Sequence, residues 1–152
     1  MSSASERLAE LGLTLPAVAA PLAAYVPAVR VGDLVHTSGQ LPTAAGQLAA
    51  TGKVGSEVTP ETAAECARLA VLNAVAAVSA EVGGVDAITR VVKVVVFVAS
   101  APGFTSQPQV ANGASQLLVD VFGDAGQHAR SAVGVAVLPL DAPVEAEIVV
   151  AV

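Results

Sequence analysis

The chain has 152 residues, enough for one domain with a sizeable core, and 54% of its residues are apolar. Its net charge of −6, with one Tyr, three Phe and no Trp, disfavours nucleic-acid binding, which needs a basic surface and stacking side chains. A single cysteine excludes an intrachain disulfide and a cysteine-based zinc site. We expect a cytoplasmic protein without a signal peptide or a membrane-spanning segment.

The first half of the chain predicts, in order, a short helix over residues 3–11, an extended segment over 14–24, a hairpin over 26–37, a loop over 38–58 and a long helix over 59–82. Ser3 and Glu6 have the spacing of a helix capping box. Gly32-Asp33 separates two apolar runs, as the turn of a hairpin does. Thr59-Pro60 is a typical helix start, and the glycines after residue 82 are typical of a helix end.

The second half predicts a Val-rich strand over residues 86–100, a helix over 107–122, and two final strands over 131–138 and 144–152. We expect the final two strands to pair with each other as antiparallel neighbours. Two long helices on one face of a mixed sheet give a two-layer α+β sandwich. The whole chain, residues 1–152, is then a single domain.

Arg130 is the first candidate for a functional side chain. Strand alternation places it on one face with Ala132, Gly134 and Ala136, which leaves open space beside a guanidinium. A helix, another subunit or a ligand must fill that space. A guanidinium binds a carboxylate through two parallel hydrogen bonds. The structural alternative is an ordinary salt bridge at the surface or at an interface.

Glu145 and Glu147 share a face of the last strand and could reach Arg130 across the expected antiparallel pair. One of these carboxylates could orient a water or act as a general acid, and the alternative is an exposed strand face. Weaker candidates are polar or backbone-permissive residues in otherwise apolar stretches, namely Tyr25, Ser38, Gly39, Gln40 and Asn112.

Metal and thiol chemistry find little support in the sequence. His36 and His128 have no clustered ligands, so we predict no metal site. Cys66 lies on the apolar face of the long helix and is predicted to be a small core residue rather than a nucleophile.

Several stretches of the chain resemble the RidA/YjgF family. They are Tyr25-Val-Pro-Ala-Val with Thr37-Ser-Gly-Gln-Leu-Pro, then Asn112-Gly-Ala-Ser, then His128-Ala-Arg-Ser-Ala-Val, and finally Val144-Glu-x-Glu. The resemblance covers nearly the whole chain. It implies a chorismate mutase-like fold and a homotrimer with ligand clefts between subunits. It also implies hydrolysis of enamines and imines, such as 2-imino acids, to 2-keto acids and ammonia, with no cofactor and no metal.

Carried over by position, the resemblance gives Arg130 the role of carboxylate anchor and Glu145 that of positioning or activating the attacking water. It implies that the substrate-binding residues are Tyr25, Ser38, Gly39, Asn112, Ser115 and Ala132. The enamine-hydrolysing members usually carry an aromatic residue in place of Ser115 and a Cys in place of Ala132. With these departures the chain resembles the longer branch of the family, and the older endoribonuclease label suits so acidic a sequence poorly.

Three functions follow as hypotheses. The first is an imine deaminase, a hydrolase acting on C=N bonds. The second is a non-catalytic or regulatory protein that binds a small carboxylate in the same cleft. The third, suggested by fold alone, is chorismate mutase-type chemistry, which would want several cations around a dicarboxylate, whereas Arg130 is the one convincing cation.

Overall fold

The computed structural model of the chain describes residues 1–18 and 23–152, so part of the predicted extended segment lies outside the described residues. The elements are α1 (Ala4–Glu10), β1 (Ala28–Val31), β2 (Leu34–Thr37), β3 (Thr43–Ala44), β4 (Gln47–Leu48), α2 (Pro60–Val82), β5 (Arg90–Ala99), α3 (Gln107–Phe122), β6 (Ala129–Val135) and β7 (Val144–Ala151). The β3–β4 hairpin was not predicted, because it lies in a stretch whose glycines and prolines indicate only a loop.

The helices begin and end where their capping residues predict. Ser3 Oγ accepts the Glu6 N–H at 3.2 Å and the Glu6 carboxylate accepts the Ser3 N–H at 2.8 Å, which completes the capping box of α1. The Thr59 hydroxyl caps α2 by accepting the Thr62 N–H at 3.1 Å. Gly83 ends α2 with φ of 87°, a conformation that glycine adopts without strain.

Five strands form one sheet in the order β1-β2-β7-β5-β6. All neighbours are antiparallel except β5 and β6, which are parallel. The expected pairing of the last two strands with each other is therefore wrong, because β5 lies between them. Parallel neighbours need a connection of a dozen or more residues, and α3 supplies it.

The helices α2 and α3 cover one face of the sheet, which confirms the two-layer α+β sandwich. α2 is long and apolar enough to cross a membrane by length and composition, but 72% of that apolar stretch is buried within the fold, as in a core helix. Cys66 on α2 is buried, as predicted, and its burial, with Glu65 beside it, raises the pKa of its thiol.

The other face of the sheet carries no helix of the described residues. Alternation along the strands puts Val29, Val31, Leu34 and Val133 on this face, where each is at least 40% exposed. We call it the open face. Val29, Val31 and Leu34 lie close together on β1 and β2, and a cluster of exposed apolar side chains is typical of an interaction surface.

Candidate functional site

Arg130 lies on the edge strand β6 and faces the helix layer. It pairs with Val94, and Ala132 pairs with Val96; both valines are buried beneath the helices. Arg130 Nη1 donates to Asn112 Oδ1 at 2.8 Å and to Ser115 Oγ at 3.1 Å, both on α3. The structure thus brings four of the predicted site residues together.

Part of the space beside Arg130 is filled by the protein itself. A Cβ placed on Gly134 would lie 2.9 Å from Gln107 Nε2 and 3.1 Å from Ser100 Oγ, so these side chains cover the far end of β6. We predicted that a helix, another subunit or a ligand fills this space, and at this end of β6 the start of α3 fills part of it.

The remaining donors of Arg130 point away from these contacts. Within the described residues, Arg130 has no carboxylate at ion-pair distance, and its Nε and Nη2 have no hydrogen-bond partner. These two nitrogens form the edge that grips a carboxylate bidentately. The guanidinium is therefore fixed through Nη1, and the described part of the chain offers no partner to its other edge.

His128 joins this group, although sequence reasoning considered it only as a metal ligand. Its Nε2 lies 2.9 Å from Ser115 Oγ, and its Nδ1 lies 2.6 Å from the Gly126 carbonyl oxygen. The signal that could have found it is its position two residues before Arg130, since alternate residues of a strand share a face. We call Arg130, Asn112, Ser115, His128 and Ala132 the arginine group.

A second group forms around Glu145 at the start of β7. Gln40 and Ala146 exchange backbone hydrogen bonds of 2.8 and 3.0 Å, which brings Gly39 against Glu145. A Cβ on Gly39 would overlap the Glu145 carboxylate. Burial, and then the negative charge of Glu147, raises the pKa of Glu145 above its ordinary value.

Ser38 completes this second group, which we call the glutamate group (Ser38, Gly39 and Glu145). The Ser38 hydroxyl donates to the Val26 carbonyl at 2.6 Å and the Ser38 N–H donates to the Pro27 carbonyl at 2.8 Å. Both Ser38 donors thus hold the segment that follows Tyr25. Tyr25 itself is 59% exposed and touches neither group through a hydrogen bond of the described residues.

The two groups lie on opposite faces of the sheet. Glu145 pairs with Phe97 of β5, and Arg130 pairs with Val94 of the same strand, three positions away. Residues that differ by an odd number along a strand point to opposite faces. The expected approach of Glu145 or Glu147 to Arg130 across one antiparallel pair is therefore wrong, and a small ligand cannot touch both groups of one subunit.

Other features of the described residues lie apart from these groups. No three His, Cys, Asp or Glu side chains of the described residues gather where they could hold a metal ion. A cleft of about 460 Å³ is mostly apolar and shares no lining residue with either group; it is bordered by Leu13, Cys66, Leu69, Leu72 and Leu117, among others.

Comparisons with known proteins agree with this architecture. Residues 5–149 match the family described as "YjgF/chorismate mutase-like, putative endoribonuclease". Protein TCP17 of Trypanosoma cruzi is 46% identical over 144 residues, which are 94% of this chain and 90% of TCP17.

Solved structures extend the likeness to the whole fold. The crystal structure of Atu1372 from Agrobacterium tumefaciens, a protein of unknown function, is 45% identical with a TM-score of 0.91, covering 98% of this chain and 92% of that one. A "putative endoribonuclease" from Shewanella oneidensis is 32% identical with a TM-score of 0.95, covering 99% and 100%. A more distant match is TdcF of E. coli with bound serine, 26% identical with a TM-score of 0.64, covering 89% and 93%.

Proposed function

The chain belongs to the YjgF/chorismate mutase-like family, and we propose that it hydrolyses 2-imino acids to 2-keto acids and ammonia in a cleft between subunits. The observation that carries the proposal is the Nε–Nη2 edge of Arg130, to which no described residue forms a hydrogen bond. A 2-imino acid carries its carboxylate on the atom next to the C=N carbon. Fixing the carboxylate therefore also fixes the carbon that water must attack.

The class of ligand has support from a relative. The TdcF structure holds serine, a small molecule whose carboxylate lies next to a nitrogen-bearing carbon. The product keto acid and the substrate imino acid keep that carboxylate. We propose that this chain takes ligands of the same size and charge.

Glu145 is the proposed acid and base. Its raised pKa makes the Glu145 carboxylate a stronger base than that of an exposed glutamate, so it accepts a proton from water more readily. The Glu145 carboxylate accepts a proton from water as the oxygen bonds to the iminium carbon. The proton then passes from Glu145 to the amine nitrogen of the tetrahedral adduct. As the C–N bond breaks, its electron pair leaves with ammonia and Glu145 takes the proton of the adduct hydroxyl, which forms the C=O bond of the keto acid. Glu145 gives that proton to ammonia, which leaves as ammonium.

We propose that a homotrimer completes the site. Because the arginine and glutamate groups lie on opposite faces of one sheet, Arg130 of one subunit must meet Glu145 of its neighbour. Association would also cover the valines and Leu34 of the open face. The unpaired cysteine suits the reducing cytoplasm, where we propose that the protein works.

The test is release of ammonia and keto acid from 2-imino acids, which an amino-acid oxidase generates in place. Arg130→Ala should lower kcat/KM by about 30-fold or more, since charge-assisted hydrogen bonds contribute about 2 kcal/mol or more. Arg68→Ala is the matched control, because Arg68 pairs with Asp120 on the helix layer, away from both groups. An Arg130→Ala protein that keeps its turnover contradicts the proposal.

A non-catalytic carboxylate-binding protein is the second candidate. Two observations favour it. The Ser115 hydroxyl is hydrogen-bonded to Arg130 and His128, and the Ala132 side chain has no reactive group. Calorimetry would support this function if keto acids bind the wild-type protein and do not bind Arg130→Ala. The wild-type protein would then turn over no imino acid.

A further inference from the structure

We infer that His128 is a positioning residue that fixes the direction of the Ser115 hydroxyl and so holds Arg130 with its Nε–Nη2 edge turned outward. The inference rests on the proposed function, in which that edge binds a carboxylate. It concerns residues of the arginine group that depart from the family pattern, because Ser115 stands where an aromatic residue is usual.

The direction of each hydrogen bond follows from what the atoms can do. The Gly126 carbonyl only accepts, so His128 Nδ1 carries the hydrogen in their 2.6 Å contact. In the neutral imidazole Nε2 then accepts, and the Ser115 hydroxyl donates to it across 2.9 Å. Arg130 Nη1 only donates, so the lone pairs of Ser115 Oγ receive it at 3.1 Å. In this series of hydrogen bonds, from Arg130 through Ser115 and His128 to Gly126, every contact thus has one donor and one acceptor.

The surrounding structure fixes both ends of this series of hydrogen bonds. A Cβ on Gly126 would overlap the backbone of Leu118, so the turn that carries the Gly126 carbonyl is pressed against α3. Asn112 and Ser115 are three residues apart on α3 and therefore project from one face, where both reach Arg130 Nη1. Removal of His128 would leave the Ser115 hydroxyl free to rotate, and Nη1 would lose a directed acceptor.

A Ser115 nucleophile activated by His128 would use the same contact. Two features oppose it. The Arg130 hydrogen bond draws electron density from the Ser115 oxygen that would attack. The Nη1 donor that could have stabilised an oxyanion is already occupied by Asn112 and Ser115. The arrangement therefore serves to position Arg130.

Nitrogen NMR of the unliganded protein at mildly alkaline pH tests the network without any ligand. The expected result is a His128 imidazole with hydrogen on Nδ1 and a bare Nε2, and a weaker preference for that tautomer in Ser115→Ala. A hydrogen on Nε2 of the wild-type protein would overturn the inference, whatever the protein binds.

Pyruvate binding tests the consequence for Arg130. His128→Ala should weaken pyruvate binding by about fivefold, as loss of one neutral hydrogen bond does. His128→Gln, whose amide oxygen reaches the Nε2 position, should restore most of it. In a Ser115→Ala background His128→Ala should add nothing, since it acts through Ser115.

The outcomes separate this inference from the proposed function. Additive losses in the double variant, or covalent labelling of Ser115 by a fluorophosphonate, overturn the positioning role while the deaminase proposal stands. Pyruvate binding with non-additive losses but no imine turnover overturns the deaminase proposal and leaves the positioning role intact. A wild-type protein that does not bind pyruvate overturns both.

Discussion

The Glu145 carboxylate and Gly39 lie in direct contact, and this contact sets where the proposed acid and base can be. A side chain at residue 39 would occupy the space of the carboxylate, yet the Gly39 backbone does not have a positive φ. The local fold can therefore accept a methyl group there, whereas the Glu145 side chain must move to make room for it.

Gly39→Ala is accordingly expected to keep the folded protein and to lose turnover, because the displaced atoms are the end of a flexible side chain. Circular dichroism and imine turnover check the two halves of this prediction. Gly46→Ala is the control for glycine loss, since a Cβ there meets no other atom, although its φ of 79° predicts a small stability cost. Full turnover by Gly39→Ala would contradict the proposed contact.

The pH dependence of stability should reveal the buried carboxyl of Glu145. Burial and Glu147 raise its pKa in the folded state, so its contribution to stability is present in acid and is lost as pH rises through that raised value. Glu145→Gln, which stays neutral, should thus melt higher than wild type at neutral pH and lose this advantage in acid. Melting curves at a series of pH values measure it.

The exposed Glu65 provides the matched control for that series. Glu65→Gln removes one negative charge from an exposed position, so its melting temperatures over the same pH series measure the effect of that charge alone. A Glu145→Gln difference from wild type that does not grow from acid to neutral pH would contradict the assigned cause.

At this scale the sequence indicated Arg130 and Asn112, the family resemblance added Ser115, and the structure places both α3 side chains within hydrogen-bond distance of Arg130. The sequence could identify Arg130 because a cation there alternates with small side chains, and Asn112 because it is polar in an apolar stretch, whereas Ser115 came only from the resemblance. His128 was missed because its contact with Ser115 joins a strand entry to a helix, and such a contact depends on how α3 packs. The bonds of the Ser38 hydroxyl likewise depend on the path of the chain after Tyr25.

Among the elements, α3 shows how packing can override helix propensity. Gly113 follows Asn112, and both residues have low propensity for a helix interior. A Cβ on Gly113 would overlap the backbone carbonyl of Ala64 on α2, so the glycine allows the two helices to approach closely. The packing of α2 against α3 is therefore a sufficient reason for Gly113, and Asn112 alone keeps a part in the arginine group.

Gly113→Ala should destabilise the protein even though alanine is the better helix former. Replacement adds about 1 kcal/mol of helix propensity, but an overpacked core costs about 1–3 kcal/mol, towards the upper end when the clash is with backbone. Urea unfolding should show a net loss of about 2 kcal/mol. Gln109→Ala, on the exposed side of α3, should change the free energy of unfolding little. A Gly113→Ala protein more stable than wild type would contradict the close approach of α2 and α3.

Helix ends were predictable because capping residues act on their own backbone, as Ser3, Glu6 and Thr59 do. The order of the strands in the sheet was not predictable, because it depends on which strands, distant in sequence, pair with each other. The signals present were the Val-rich run of β5, typical of a central strand, and the strand–helix–strand order of residues 90–135, which favours a parallel pair.

For the molecule as a whole, the sheet separates two groups that one reaction would need together. The arginine group faces the helix layer, the glutamate group faces the open side, and β5 lies between their strands. The net charge of −6 does not favour RNA as the ligand, despite the "endoribonuclease" in the family description. The proposed small carboxylate ligand, held between two subunits, would explain why the two groups lie on opposite faces of one sheet.

Complementation between two inactive variants tests this arrangement most directly. Arg130→Ala and Glu145→Gln chains, each inactive alone, are unfolded, mixed in equal amounts and refolded together, and imine turnover is measured. If each site takes Arg130 from one subunit and Glu145 from the next, roughly a quarter of all sites in randomly assembled trimers have both residues, and turnover returns to about that fraction of wild type. If mixed trimers form and no turnover returns, the two residues do not meet across a subunit boundary, and the account is contradicted.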